Sequence, residues 1–446
     1  MSFWRTGGCL AAMAILSACA QSAAVSDGDA IVSIGTGKVG KQAIGNCWAY
    51  TTTAWLEALQ FRVGVAAPDY SESYLSYWNM YESLMGRKNF DLEAAHFRSV
   101  AYLLSTRGLM LQSDFILEEA SGLESTRQTK ALANVKAWMK AGGLLRAPTD
   151  ELKKRAYIRA ALDNAWELSA RRRAALDRAF GPNVTKTIAD ATDASYSSFL
   201  IYRPADIKIA VYQPGADEPR AGVLSEVAQS YDSYRESDFK TPNARLFSVH
   251  FPTATDVPFN GWSGYPSGYF LTEEGAVTVP SQRALWRKMQ RVLHQGIPIW
   301  GAWWVDASAQ DKITGNFVQQ SVLLSQHDIT NKSVGPHASL FIDYQARLAD
   351  GSLLAVGKTE TDKNRLAAAL KDDTRLELFR IQNSWGANPV WRDRPAGTYD
   401  LGVDYLATPG NQKCLPGGPD KNDTVAPECY SDAFMGEVML PLNLEP

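Results

Sequence analysis

Helical and strand-like patterns occupy different parts of this chain, and that separation constrains the fold more than any other feature. Apolar residues recur at helical spacing through much of residues 47–195, whereas short strand-like runs between turn residues dominate after residue 207. An exception is the stretch 281–296, which predicts an amphipathic helix that ends at Gly296. The six strand-like runs are IKIAVYQ, ARLFSVHF, IPIWGAWWV, ASLFIDYQ, RLELFRIQ and MGEVMLPL. Helices followed by strands predict an α+β fold.

Four helical stretches are predicted in the first part of the chain. A run without Gly or Pro predicts a buried helix that begins at or beside Cys47. Residues 71–86 and 91–106 predict two further helices, the second with Asp91 as its N-cap. Residues 116–195 are rich in Ala, Leu, Lys, Arg and Glu and predict a longer helical region.

The N-terminus has the pattern of an export signal. Residues 7–16 form an apolar run that is too short to span a bilayer as a helix. The sequence LSAC at 16–19 resembles the lipobox of bacterial lipoproteins, which implies cleavage before Cys19 and lipidation of its thiol. We therefore expect a signal peptide at 1–18, a tether at 19–39, and a lipid-anchored protein in the bacterial cell envelope. A plain signal peptide with an incidental cysteine is the alternative.

The remaining cysteines single out Cys47. Exported proteins occupy an oxidising compartment, where cysteines tend to pair. Cys414 and Cys429 bracket a Pro/Gly/Asp-rich loop, so we expect them to form a disulfide that contributes roughly 3 kcal/mol. Cys47 is then left unpaired, which favours a reactive thiol; a buried inert thiol is the alternative.

The string Gly45-Asn46-Cys47-Trp48 places that thiol at the first turn of the predicted helix. Backbone N–H groups and the helix dipole favour negative charge there, so we expect a lowered pKa for Cys47. The same N–H groups can bind a developing oxyanion.

Two later strings supply a base and a group to orient it. His337 follows Gly335-Pro336, which indicates a turn at the mouth of a strand, and Asn383 ends the run RLELFRIQ. Neighbouring strands would bring Asn383 beside His337, where its amide oxygen accepts the imidazole N–H and fixes the tautomer. Trp385 would shield this hydrogen bond from water. A thiol, a base and an orienting group are the parts of a nucleophilic acyl-transfer site.

These strings resemble a known family. GNCWAY, PHASLFIDY and FRIQNSWG resemble, in order, the three active-site blocks of the papain superfamily of cysteine peptidases. YSESYLSYW and GLMLQSDF are similar to segments of its bleomycin hydrolase and aminopeptidase C branch. The resemblance implies a papain-like two-lobe fold over 40–446, with a helical left lobe and an antiparallel β right lobe. It also implies Cys47 as nucleophile, His337 as base and Asn383 as orienter, supported by Trp48 and Trp385.

Three features depart from that family. His337 lies 290 residues after Cys47, against ~130 to 150 in papain-like enzymes, so we expect a large, mainly helical insertion at about 116–260 that could cap or narrow the cleft. The oxyanion-hole Gln of the family stands six residues before the Cys, whereas Gln42 stands five before. Gln42 is still the candidate donor, with a surface-loop Gln as the alternative. The paired glycines that bind substrate backbone are missing from GRKNFDLEAAHF.

The expected activity is hydrolysis of peptide bonds in peptides or proteins through a thioester acyl-enzyme. In the bleomycin hydrolase branch a C-terminal tail enters the cleft, but here little follows the run MGEVMLPL, so we expect an endopeptidase. The alternatives are amidase, transpeptidase or transglutaminase-like chemistry on envelope material, and a catalytically silent binding protein that kept the fold.

Other classes of partner have no support in the sequence. A net charge of −3 gives no reason to expect nucleic acid as a partner, and any membrane contact is expected through the lipid alone. No organic cofactor is expected. No zinc site is expected either, since the other histidines lack metal-ligand spacing. The tryptophans of IPIWGAWWV could line a cleft, although the core of a sheet is the favoured interpretation. The histidines in question are His96, His250, His294 and His327.

Overall fold

The structure is a computed structural model of the 446-residue chain. It describes residues 34, 38–66, 68–87, 90–95, 97–116, 124–188, 201–213, 215–227, 247–250, 271–272, 275–276, 282–325, 331–386, 394–412, 429–432 and 438–441.

Helices dominate the described residues up to 180, and strands dominate afterwards. The helices are α1 (Cys47–Arg62), α2 (Glu72–Leu84), α3 (Phe97–Arg107), α4 (Gln112–Phe115), α5 (Glu124–Lys140), α6 (Glu151–Ala165), α7 (Ala170–Phe180), α8 (Leu224–Val227), α9 (Gln282–His294), α10 (Val322–Ser325), α11 (Lys363–Ala369) and α12 (Val403–Leu406). The strands are β1 (Leu109–Met110), β2 (Ile201–Tyr202), β3 (Lys208–Val211), β4 (Arg220–Val223), β5 (Phe247–His250), β6 (Leu271–Thr272), β7 (Gly275–Ala276), β8 (Ile299–Asp306), β9 (Val334–Arg347), β10 (Leu353–Leu354), β11 (Arg375–Gln382), β12 (Thr398–Gly402), β13 (Pro409–Gln412), β14 (Cys429–Asp432) and β15 (Val438–Pro441). The predicted α+β class is confirmed.

The largest sheet is antiparallel and has the strand order β12-β11-β9-β8-β15-β5, with β10 pairing with β9. Each of the six strand-like runs of the sequence overlaps one strand of the structure. The long strand β9 pairs with β8 on one side and with β11 on the other. Side chains from three consecutive strands of the sheet therefore meet near the beginning of β9.

Helix α1 is buried on nearly all sides. Twelve of its 16 residues are buried, because it packs between the sheet and helices α2 and α3. Trp55 ties it to the sheet, donating from Nε1 to the carbonyl oxygen of Pro298 at 3.2 Å. A helix enclosed in this way can carry apolar residues all round, as the run from Cys47 does.

The helices of the predicted insertion share one core with the preceding helices. Trp78 of α2 is fully buried, and its ring contacts Phe180 of α7 with centroids 4.8 Å apart. Tyr77, also on α2, donates its hydroxyl to Asp163 Oδ1 of α6 at 2.7 Å. Trp166, just after α6, is fully buried in the same cluster. Helices α6 and α7 are therefore packed against α2.

The stretch predicted as a mainly helical insertion contains α5, α6, α7 and α8 in its described parts, and also the short strands β2, β3, β4 and β5, of which β5 pairs with β15 in the main sheet. The prediction of Asp91 as an N-cap is wrong. Helix α3 begins at Phe97, and Asp91 does not cap it. The Asp91 carboxylate instead accepts the backbone N–H of Glu93 at 2.9 Å, because a local turn offers that donor first.

The N-terminal signal and the disulfide lie largely outside the described residues. Residues 1–33, including Cys19, are not described, nor are Cys414 and the side chain of Cys429. The backbone pairing of β13 with β14 puts Gln412 opposite Cys429. In the described part of the chain, no helix has the length and apolar character needed to cross a bilayer.

Candidate active site

Cys47 is the first residue of α1, as predicted. Its side chain is partly exposed, and Sγ accepts the backbone N–H of Ala338 on β9 at 3.4 Å. Asn46 is the N-cap residue, but its side chain makes no capping hydrogen bond. The sulfur therefore lies between the open end of a helix and the strand that carries His337.

His337 lies within β9, opposite Trp303 of β8. The predicted turn before it is wrong, because β9 begins at Val334 and the register continues through Gly335 and Pro336. Pairing with β8 overrides the turn preference of the Gly-Pro pair. His337 is buried, with 6% of its surface exposed.

The structure brings His337 and Asn383 together, as the sequence predicts. Their strands are neighbours, with Leu340 of β9 opposite Gln382 of β11, and Asn383 comes directly after that strand. His337 Nε2 lies 2.5 Å from Asn383 Oδ1. The backbone N–H of Ser384 also donates to this oxygen at 2.8 Å, which fixes the amide orientation. Since Oδ1 can only accept, Nε2 carries the proton and Nδ1 is the basic nitrogen.

Aromatic rings enclose the His337 imidazole. Trp385 covers it with ring centroids 5.0 Å apart and planes 30° apart, and Trp303 meets it edge-on at 5.8 Å. Phe317 and Tyr405 pack behind Trp303. The tryptophans at 300, 303 and 304 are buried, which confirms the favoured sheet-core interpretation, and Trp303 also forms one wall of the imidazole site.

Burial controls the protonation of the two groups. It lowers the pKa of His337 to about 4, although the hydrogen bond to Asn383 acts in the opposite direction. Burial likewise raises the pKa of the Cys47 thiol, against the lowering effect of hydrogen bonds from the backbone N–H groups of Ala338, Trp48 and Cys47 itself. The predicted lowering of the Cys47 pKa is therefore wrong for this conformation, because loss of water outweighs the helix terminus. Both groups are uncharged near pH 7.

Gln42 lies beside Asn383 because residues 40–42 pair with residues 384–386. The backbone N–H of Gln42 donates to the carbonyl oxygen of Ser384 at 2.9 Å, and that of Gly386 donates to Gly40 at 3.0 Å. The Ser384 hydroxyl donates to Gln42 Oε1, and Gln42 Nε2 donates to the carbonyl oxygen of Ile44 at 3.0 Å. These bonds hold Gln42 beside Ser384, the residue after Asn383.

Trp48 contacts a loop that the sequence did not single out. Its Nε1 donates to the carbonyl oxygen of Glu93 at 2.7 Å, and the backbone N–H of Gly45 donates to Glu93 Oε2 at 3.0 Å. Glu93 therefore ties the segment before Cys47 to a separate loop. A lone Glu in an irregular stretch carries no pattern that would have indicated this contact.

No metal centre accompanies the site in the part of the chain that is described, where no group of three or more His, Cys, Asp or Glu side chains could hold an ion. Glu57 of α1 and Glu72 of α2 are buried carboxylates. Burial, with Asp69 and Glu72 nearby, raises the pKa of Glu57 well above its usual range. Glu72 accepts hydrogen bonds from Thr53 and Gln112.

Comparison with known proteins finds similarity at the level of structure only. No protein-family model and no curated protein matches the chain. PepW from Lactobacillus rhamnosis HN001 is a similar solved structure, with 12% identity, a TM-score of 0.35, and coverage of 85% of this chain and 79% of PepW. Xylellain, a cysteine protease from Xylella fastidiosa, is another, with 12% identity, a TM-score of 0.33, and coverage of 95% of this chain and 88% of xylellain. Similarities of this size do not by themselves assign an activity.

Proposed function

We propose that this protein is a papain-like cysteine peptidase with Cys47 as nucleophile, His337 as general base and Asn383 as the residue that orients it. The observation that carries the proposal is the hydrogen bond from His337 to Asn383, directly beside the strand position whose N–H contacts Cys47 Sγ. Support comes from two contacts: Cys47 Sγ accepts the N–H of Ala338, the residue after His337, and His337 bonds Asn383, so residues of the three types that acyl transfer requires are linked through one strand.

The protonation states support a general-base mechanism. His337 Nδ1 is unprotonated near pH 7, so it can take the Cys47 proton as the sulfur attacks a peptide carbonyl. The resulting imidazolium is stabilised by Asn383 Oδ1 and then protonates the leaving amine. Water, deprotonated by the same nitrogen, releases the acyl group from sulfur and restores the thiol.

Two donors are available for the tetrahedral oxyanion. The backbone N–H of Cys47 belongs to the first turn of α1, where no side chain of the N-cap residue competes for it. Gln42 Nε2 carries a second N–H besides the one that donates to Ile44, and residues 384–386 hold the Gln42 backbone in place. We assign the oxyanion hole to these two groups.

The proposal extends to cleavage type and location. Endopeptidase activity on peptides or proteins is the expected form, and the fold is expected to be the two-lobe arrangement. The protein is proposed to be exported and anchored in a bacterial envelope by a lipid on Cys19, with Cys414 and Cys429 joined. Intact-mass measurement of the mature, unreduced protein tests both modifications: it should begin at a diacylated Cys19 and lack two hydrogens for one disulfide.

Cleavage profiling on a diverse peptide library tests the activity. The wild-type protein should cut internal peptide bonds, and Cys47→Ala should lose this cutting by a factor of about 10³ or more, since the covalent route needs the sulfur. A thiol-directed epoxide should add its mass to Cys47 at neutral pH. Leu145→Ala is the matched control, because Leu145 is 92% exposed.

Three outcomes would contradict the proposal. If Cys47→Ala cuts peptides as well as the wild type does, Cys47 is not the nucleophile. If the wild type shows neither cutting nor epoxide labelling, the protein is a binding protein. Products joined to an added amine acceptor, without net hydrolysis, would indicate a transferase.

A further inference from the structure

Helix α5, in the insertion, reaches the residue directly before the nucleophile. Gln128 is fully buried, and its Oε1 accepts Asn46 Nδ2 at 3.0 Å. Its Nε2 donates to the Tyr50 hydroxyl at 3.1 Å and to Ser73 Oγ at 3.2 Å. Asn46 Nδ2 also donates to Ser76 Oγ at 3.0 Å. The Asn46 side chain is therefore drawn away from α1 and towards α2 and α5.

This arrangement is unusual for an Asn at an N-cap position. Such a side chain normally accepts the backbone N–H of the second or third helical residue, which here would be Trp48 or Ala49. Asn46 makes no capping bond, and its Oδ1 is buried with no hydrogen-bond partner among the described residues. A buried acceptor without a partner costs free energy, so the surrounding contacts must hold it there.

A second contact from α5 acts on the neighbouring residue. Lys136 lies just over two helical turns after Gln128, and its Nζ pairs with Glu93 Oε1 at 2.6 Å. The other oxygen of Glu93 accepts the backbone N–H of Gly45 at 3.0 Å. Gly45 and Asn46, the two residues before Cys47, are thus both held by way of α5.

We propose that Gln128 is a positioning residue: it holds the Asn46 amide off the end of α1, so that the first-turn N–H groups stay available to the Cys47 sulfur and to the oxyanion. The inference rests on the proposed peptidase function for its catalytic part. Without Gln128, the Asn46 side chain can turn to cap the helix, and its oxygen then competes with the sulfur for the N–H of Trp48. The insertion thereby contributes to the chemistry without touching the substrate.

The test uses Gln128→Met, which keeps the length of the side chain and removes its hydrogen bonds. Iodoacetamide alkylation of Cys47 is followed by peptide mass spectrometry as a function of pH, and kcat and KM are measured per titrated thiol. We expect the alkylation midpoint to rise by about one pH unit, and kcat to fall about tenfold with KM within about twofold. Asn134→Ala, on the same helix, loses only its bond to Ala165 and should leave the midpoint unchanged.

The double variant Gln128→Met with Asn46→Ala separates positioning from support of the fold. Ala cannot cap, so the N–H groups are open again and the midpoint should return towards that of the wild type. A merely structural role predicts the opposite, a double variant at least as impaired as the single one. If Gln128→Met is insoluble, Asn46→Ser replaces it in the test, because Ser is too short to reach Gln128 but can cap α1. The pH midpoint of Cys47 alkylation should rise in Asn46→Ser.

An unchanged midpoint in the soluble variant, or no recovery in the double variant, overturns the positioning role. If the wild type cuts no peptide but the midpoint shifts as expected, the peptidase proposal fails while the positioning role stands, since alkylation needs no substrate.

Discussion

The imidazole of His337 takes its proposed working state from the groups that touch it. Asn383 Oδ1, fixed by the Ser384 N–H, holds the proton on Nε2, while Trp385 and Trp303 exclude water from the ring. Different residues thus orient the His337 imidazole and shield it from water, so substitutions can separate the two effects.

Replacement of Trp385 tests the desolvation effect. Burial depresses the pKa of His337 to about 4, so opening the ring to water in Trp385→Ala should raise this pKa towards 6.5. The neutral imidazole is the base, and the acid limb of the kcat/KM profile should therefore move to higher pH. Trp385→Phe retains an aromatic cover and should leave the limb near its wild-type position. An acid limb that moves to lower pH in Trp385→Ala would contradict this account.

The sequence predicted elements well where the pattern is local. Helix α1 begins at Cys47, α9 ends just before Gly296, and every strand-like run overlaps a strand, because periodicity and turn residues encode these features directly. Asp91 was misassigned because its carboxylate accepts the N–H of Glu93 in a local turn, and the helix begins only at Phe97. Gln128 could not be found, since its contact with Asn46 joins residues 82 positions apart and no spacing rule relates them. The direction of the Cys47 pKa shift depends on burial, which only the packed structure reveals.

Helix α7 contributes to the stability of the whole unit because Phe180 lies in the core shared with α2. Phe180 is fully buried against Trp78, so Phe180→Ala should lower the free energy of unfolding by about 3–5 kcal/mol. Thermal unfolding should remain a single transition at a lower temperature. Leu145→Ala, with the side chain 92% exposed, should change stability by no more than about 0.5 kcal/mol. Two separate transitions, with only one shifted by Phe180→Ala, would show that the insertion folds independently.

Acid should destabilise the molecule through His294 and His337, whose rings are shielded from water. Burial lowers the pKa of His294 to about 4, below its ordinary 6.5, so the unfolded state binds the proton more readily. The stabilisation is complete above about pH 6.5 and is lost as pH falls towards 4. The lowered pKa of His337 likewise makes stability fall as the pH falls. The raised pKa of Glu57 has the opposite effect on the pH dependence of stability.

Chemical denaturation of His294→Gln across this range isolates one residue. Gln can keep the hydrogen bond to the Tyr344 hydroxyl, 2.7 Å from His294 Nε2, but cannot bind the proton. Its stability should fall less than that of the wild type between pH 6.5 and 4, by at most about 3 kcal/mol. Parallel stability curves for the two proteins would rule out His294 as a contributor.

The position of β15 between β8 and β5 has a consequence for biosynthesis. Among the described strands, β5 pairs with β15 of the main sheet, which lies about 190 residues later in the chain. A chain that is synthesised from its N-terminus leaves the backbone hydrogen-bonding groups of β5 and of the outer edge of β8 unpaired until β15 has been made. Pairings so distant along the chain form slowly and leave edges open to wrong partners. If the protein is exported as proposed, binding by chaperones would protect these strand edges from wrong pairing until β15 is available.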